Sequence, residues 1–178
     1  MKLNRVIWLL KNRPFKLLFT RFIHGIKGFP KAILIIGIPG SGKSTFAKAR
    51  YPAEDYEIHS TDCIREELFG NENVQGDWNK IECLLKERVA RSLHTKRIPV
   101  IDATHARKQH RINAVRWLNK MGADAHGLYV ATPLTESMAR NINRLRVVPD
   151  HVIIGMHNSL SEHPPCVEEG FVSIEIVN

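Results

Sequence analysis

The strongest chemical signal in the chain is nine consecutive residues, Gly37-Ile38-Pro39-Gly40-Ser41-Gly42-Lys43-Ser44-Thr45. Glycines there remove side chains, so backbone N–H groups can turn inward on an anion. A helix starting directly behind them adds the positive end of its dipole. The spacing G-x-x-x-x-G-K-[ST] is the phosphate-binding pattern of nucleoside triphosphate sites. In it Lys43 reaches the β- and γ-phosphates, and the Ser44 hydroxyl ligates Mg²⁺. Gly37, Pro39, Gly40, Ser41, Gly42, Lys43, Ser44 and Thr45 are therefore the expected nucleotide-binding residues. An ordinary Gly-rich turn would account for the glycines, but the flanks also fit. Ala32-Ile33-Leu34-Ile35-Ile36 reads as a buried parallel strand. Thr45 to Arg50 reads as the opening turns of a helix.

Three further groups carry chemistry. Asp62 and Arg65 are spaced i, i+3, which puts them on one face of a helix. Together they offer a carboxylate to hold a hydroxyl and take its proton, and a cation to fix an anionic acceptor. A capping acid with a surface ion pair is the plainer alternative. Asp102 ends the apolar run Ile98-Pro99-Val100-Ile101, with Thr104, His105 and Arg111 after it. An acid in that place can serve Mg²⁺ through water, hold the acceptor, or simply satisfy loop N–H groups. Arg140 and Arg144 are spaced i, i+4, on one face of a helix expected to run to Arg146. Alone they suggest a solvated basic face. Behind a phosphate loop they suit a lid whose arginines neutralise charge as a γ-phosphoryl group leaves.

Strands alternating with helices must position these residues. Strands are expected at 32–36, Tyr56–Ser60, Ile98–Asp102, Ala125–Val130 and Phe171–Val177. Between them lie a helix after the loop and one from Asp62 to Phe69 capped by Thr61. A long helix follows over Asp77–Lys96, with Trp78, Ile81, Leu84, Leu85, Val89 and Leu93 inward. Further helices span Lys108–Met121, Thr132–Arg146 and Asp150–Leu160. The pattern predicts an α/β fold: a mostly parallel sheet with helices on both faces, in three layers. Ligands then sit at the carboxyl ends of the strands, where the loop, Asp62 and Asp102 fall.

The 178 residues make one domain with an appendage. The net charge of +8 is local. Residues 1–31 hold eight Lys and Arg and no Asp or Glu, so residues 32–178 are formally neutral. The basic balance therefore describes the arm, not a nucleic-acid groove on the domain. In the arm, Phe15, Leu18, Phe19, Phe22, Ile23 and Ile26 form one helical stripe behind Pro14. Such an arm can pack on the domain, lie on an anionic membrane surface, act as an organelle-targeting peptide, or grip nucleic-acid phosphates. Its apolar run Val6–Leu10 is too short to span a bilayer. Three scattered cysteines, Cys63, Cys83 and Cys166, form no metal-binding spacing and fit a reducing, cytoplasmic setting.

The pieces resemble, in order, the P-loop kinase group that contains the polynucleotide 5′-hydroxyl kinases, with the AAA-type and zeta-toxin-like small kinases. They are Gly37–Thr45, Ser60-Thr61-Asp62-Cys63-Ile64-Arg65, Val100-Ile101-Asp102-Ala103-Thr104-His105, and Arg140-Asn141-Ile142-Asn143-Arg144 before Val148-Pro149. The ending Pro164-Pro165-Cys166-Val167-Glu168-Glu169-Gly170-Phe171 is also similar. The resemblance implies a P-loop NTPase fold and an ATP- and Mg²⁺-dependent kinase. Lys43 and Ser44 would bind the donor and metal, Asp62 would be the general base, and Arg65 would hold the acceptor phosphate. Arg144 with Arg140 would be the lid cations, and Asp102 would lie in the acceptor–metal region. The implied acceptor is a polynucleotide 5′-hydroxyl. A small metabolite or nucleotide sugar is the alternative, and a non-catalytic NTP-binding adaptor is a third. His105 stands where those kinases commonly have Asn, and the segment between Arg144 and Pro149 is shorter than theirs.

Overall fold

The computed structural model describes residues 30–71, 74–144 and 146–178. The expected amphipathic arm, residues 1–31, lies almost wholly outside them. Five strands form one sheet: β1 Lys31–Ile36, β2 Tyr56–Ser60, β3 Ile98–Asp102, β4 Asp124–Val130 and β5 Ser173–Val177. Their order is β2-β3-β1-β4-β5, and every neighbouring pair is parallel. The helices are α1 Lys43–Arg50, α2 Thr61–Phe69, α3 Trp78–His94, α4 Lys108–Lys120, α5 Leu134–Ile142 and α6 Asp150–Glu162. This is the P-loop NTPase arrangement.

The apolar run of β1 is continuous because both of its faces are covered. Leu34 and Ile36 enter a core with Ile64, Ile81, Leu85, Val89, Val115, Leu118 and Ile153, from α2, α3, α4 and α6. Ile35 and the partly buried Ile33 enter a second cluster with Ala47 of α1, Tyr51 just after it, Val100, Leu128 and Val130. The register then sets the site. Ile35 pairs with Asp102, and Asp102 pairs with Ser60. Three central strands thus end side by side, and the chain leaves them at Gly37, Thr61 and Ala103.

Several details differ from the sequence-based expectation. Thr61 does not cap α2; Ser60 does, its Oγ accepting from the Asp62 N–H at 3.3 Å, while Thr61 is buried in the first turn. Trp78 does not face inward but is 51% exposed, because Asp77 caps α3 just before it and aims the first turn at solvent. The last strand begins at Ser173, two residues later than expected, while Phe171 is buried ahead of it. Helix α5 stops at Ile142, four residues short of Arg146. There the buried Asn141 side chain donates Nδ2–H to the Val148 carbonyl at 2.8 Å and accepts the Val148 N–H at 3.0 Å. A side-chain amide that mimics a backbone partner thus holds Val148 against the end of α5.

Arg111 is not at the strand edge in any accessible sense. It is fully buried. Its Nε and Nη2 meet Glu169 Oε2 and Oε1 at 2.7 and 2.5 Å, and its remaining donors reach the His105, Ala106 and His163 carbonyls. A bidentate pair with all its donors used can survive removal from water, but one partner alone cannot. Glu169→Ala is therefore expected to lower the unfolding free energy by about 3–5 kcal/mol in urea titration. A loss below about 1 kcal/mol would contradict this reading of the pair.

Candidate active site at the carboxyl edge of the sheet

The loop from Gly37 to Gly42 is built for close backbone approach. Gly40 and Gly42 have φ of 80° and 89°, in the left-handed region that glycine tolerates. A Cβ on Gly40 would sit 2.1 Å from the Ser137 carbonyl oxygen, so α5 packs directly on the loop. Thr132 Oγ1 donates to the Ser41 carbonyl at 2.8 Å, and the Gly37 N–H donates to the Thr104 carbonyl at 3.0 Å. The loop is thus tied to the exits of β3 and β4. Gly42 caps α1 without a side-chain hydrogen bond. The first-turn N–H groups of α1 are left for an anion to satisfy. The Ser41 hydroxyl is also buried without a partner among the described residues.

Lys43 is almost wholly buried, with Nζ donating to the Ile38 carbonyl at 2.7 Å. Burial pulls its pKa down from 10.5 to about 8; Arg144 pushes it further down, and Asp102 and Asp62 hold it up. At neutral pH the side chain is still a cation, in a place where a polyphosphate would relieve it. Ser44 Oγ donates to Asp102 Oδ2 at 2.6 Å. Among the described residues, no three His, Cys, Asp or Glu side chains converge as a metal cage. A hydroxyl beside a carboxylate matches instead a hard cation that draws its other ligands from water and phosphate.

Asp62 stands two residues beyond β2, in the first turn of α2. Its Oδ1 accepts from Arg65 Nη1 at 2.7 Å and from Arg146 Nη1 at 2.9 Å. Arg65 was expected there; Arg146 was not. The only sequence signal for Arg146 was a third arginine after Arg140 and Arg144, off the helical spacing. Because α5 ends early, Arg140 and Arg144 do not share a helical face, contrary to expectation. Arg140 is exposed and paired with Glu136, with its Nη1 near Gly42 of the loop. Arg144 lies in the loop closed by Asn141 and acts electrostatically on Lys43.

His105 takes a φ of 45° and places Nδ1 2.9 Å from the Ile35 carbonyl. A carbonyl only accepts, so Nδ1 carries the proton. Burial pulls the ring's pKa down, against the opposing pull of that hydrogen bond and of Asp102. The neutral ring acts as a strut between β1 and the β3 exit.

The Asn141 clasp makes a testable claim about the loop that carries Arg144 and Arg146. Asn141→Ala is expected to speed amide hydrogen exchange across 142–148 and to cost about 1–3 kcal/mol of stability. Unchanged exchange at the Val148 amide would contradict the clasp.

Residues 33–163 match the AAA domain family. A comparison with the curated proteins found no match. Among solved structures, a chain of the Pnkp1/Rnl/Hen1 RNA repair complex superposes with a TM-score of 0.69 at 23% identity. The match covers 84% of this chain and 48% of that one, so the chain spans about half the length of that relative. The PezAT toxin–antitoxin system of Streptococcus pneumoniae gives a TM-score of 0.63 at 19% identity, over 91% of this chain and 76% of that one. A gluconokinase from Sinorhizobium meliloti 1021 gives 0.53 at 20%, over 85% and 83%. All three are under 25% identical and share the fold of this chain. The chain belongs to the AAA domain family and carries a P-loop NTPase fold.

Proposed function

We propose that this protein is an ATP- and Mg²⁺-dependent phosphotransferase that passes the γ-phosphoryl group to a hydroxyl, with a polynucleotide 5′-hydroxyl end as the acceptor. The observation that carries the reading is the pairing of two half-sites at one sheet edge. On one side stand open helix N–H groups and a buried ammonium; on the other stands a carboxylate, Asp62, held by guanidinium groups. A nucleotide switch has no use for the second half-site. Phosphoryl transfer asks for both, since it depends mostly on positioning and charge stabilisation.

In this reading the loop N–H groups and Lys43 bind the donor phosphates. Arg144 and Arg140 approach the donor from the α5 side and neutralise charge on the leaving group. Arg65 holds the acceptor's anionic group, and Asp62 receives the hydroxyl proton. Ser44, and Asp102 through water, would hold Mg²⁺, which when bound neutralises charge shared by the β- and γ-phosphates. Cys63 and Cys83 are exposed free thiols and Cys166 is also unpaired, in keeping with a reducing cytoplasm. Among the described residues no helix is long and apolar enough to cross a membrane.

A sugar or other small metabolite is the second acceptor class. It is favoured by the formal neutrality of residues 32–178, which leaves no excess of basic residues to track a strand.

The test is transfer of labelled γ-phosphate from ATP with Mg²⁺ to 5′-hydroxyl RNA and DNA oligonucleotides, beside 5′-phosphorylated controls, sugars and nucleosides. Label is expected on the 5′-hydroxyl strands alone, and Lys43→Ala should reduce it by about 10²- to 10³-fold. Label confined to a small molecule would replace the polynucleotide with the second class. ATP binding without transfer to any acceptor would contradict the phosphotransferase reading.

A further inference from the structure

Arg146 has no role in the account so far beyond its place beside Asp62. Two guanidinium groups converge on one carboxylate oxygen: Arg65 at 2.7 Å and Arg146 at 2.9 Å, both on Oδ1. The two arginine side chains are only 13% and 15% exposed, whereas Asp62 is 39% exposed. Exposed ion pairs fix little, but partly desolvated, charge-assisted hydrogen bonds from two directions fix the plane of a carboxylate. Among the described residues Oδ2 accepts no hydrogen bond, so it is the oxygen left to receive a proton. Arg65 Nε is buried with no partner. A buried cationic donor without an acceptor calls for an anionic ligand at this point.

The two arginines arrive by different routes. Arg65 comes from the same helix as Asp62. Arg146 comes 84 residues later, from the loop that Asn141 closes. That loop also holds Arg144, two residues earlier and near enough to Lys43 to lower its pKa. A single short segment thus presents one cation to the donor side and one to the acceptor side.

We propose that Arg146 is a positioning residue for phosphoryl transfer. It fixes Asp62 through Oδ1, presents Oδ2 to the acceptor hydroxyl, and ties that alignment to the segment that brings Arg144 to the donor. The inference rests on the phosphotransferase reading. In the step it serves, the acceptor oxygen forms a bond to Pγ, and the bond from Pγ to the β–γ bridging oxygen breaks. ADP leaves with that electron pair, and the hydroxyl proton passes to Oδ2. Arg146 touches neither reacting atom. A small misalignment of the carboxylate is enough to slow the step.

The experiment measures γ-phosphate transfer and ATP affinity for wild type, Arg146→Ala, Arg146→Lys, Asp62→Ala and the double variant Asp62→Ala/Arg146→Ala. Arg146→Ala is expected to lower kcat about 10- to 100-fold, with the ATP dissociation constant changed less than about threefold. Arg146→Lys keeps a donor and a charge and should recover part of the loss. Because Arg146 acts through Asp62, adding Arg146→Ala to Asp62→Ala should cost less than about threefold more. A wild-type protein that labels no acceptor overturns the phosphotransferase reading and this inference together. A wild-type protein that transfers, with Arg146→Ala within about threefold of it in kcat, overturns the inference alone. A full additive loss in the double variant does the same, because Arg146 would then act apart from Asp62.

Discussion

Lys43 is a cation that the fold takes out of water. Its ammonium is held on the Ile38 carbonyl inside a turn of glycines, and burial, with Arg144 nearby, pulls its pKa down to about 8. An ammonium so placed needs negative charge nearby. Asp102 and Asp62 supply part of it, from strand ends that the register sets beside β1. The rest is left for a ligand. The open N–H groups of α1 and the unpartnered Ser41 hydroxyl face the same need from the backbone side. A buried ammonium, open helix N–H groups and a buried hydroxyl at one point are the chemistry that a polyphosphate would satisfy in the proposed function.

That constraint also explains how tightly the surrounding segments are tied. Gly40 lies under the Ser137 carbonyl, Thr132 holds Ser41, and Thr104 accepts from Gly37. His105 props β1 from the β3 exit, and the Arg111–Glu169 pair beneath it fixes the carbonyls of His105 and Ala106. The position of the β3 exit therefore rests on a buried charge pair well away from Lys43 and Asp62 in sequence. The segment after α5 is tied differently, by the Asn141 amide at Val148 and by the Arg146 pair with Asp62.

Residues that announce themselves locally were readable in the sequence. Tyr56–Ser60 and Ile98–Asp102 were placed with the bounds observed, because each short run is bracketed by helix and turn signals. The phosphate loop was readable because its function is written in backbone chemistry. Long-range partners were not. Nothing near Arg111 indicates that Glu169, 58 residues on, makes it a buried strut. The end of α5 is set by a tertiary hydrogen bond from Asn141 to Val148, which helix propensity does not encode. With the helix extended to Arg146, Arg140 and Arg144 read as a pair on one face, and Arg146 only as the helix end. Ending it at Ile142 frees the last arginine to reach Asp62.

In the proposed function the sheet edge holds two separable half-sites, one for a donor and one for an acceptor hydroxyl. The most direct measurement sets ATP affinity against transfer for Asp62→Ala. The account predicts an ATP dissociation constant within about threefold of wild type and transfer lower by about 10²- to 10⁴-fold. Equal loss of both would contradict it, because Asp62 would then belong to the donor site or to the fold.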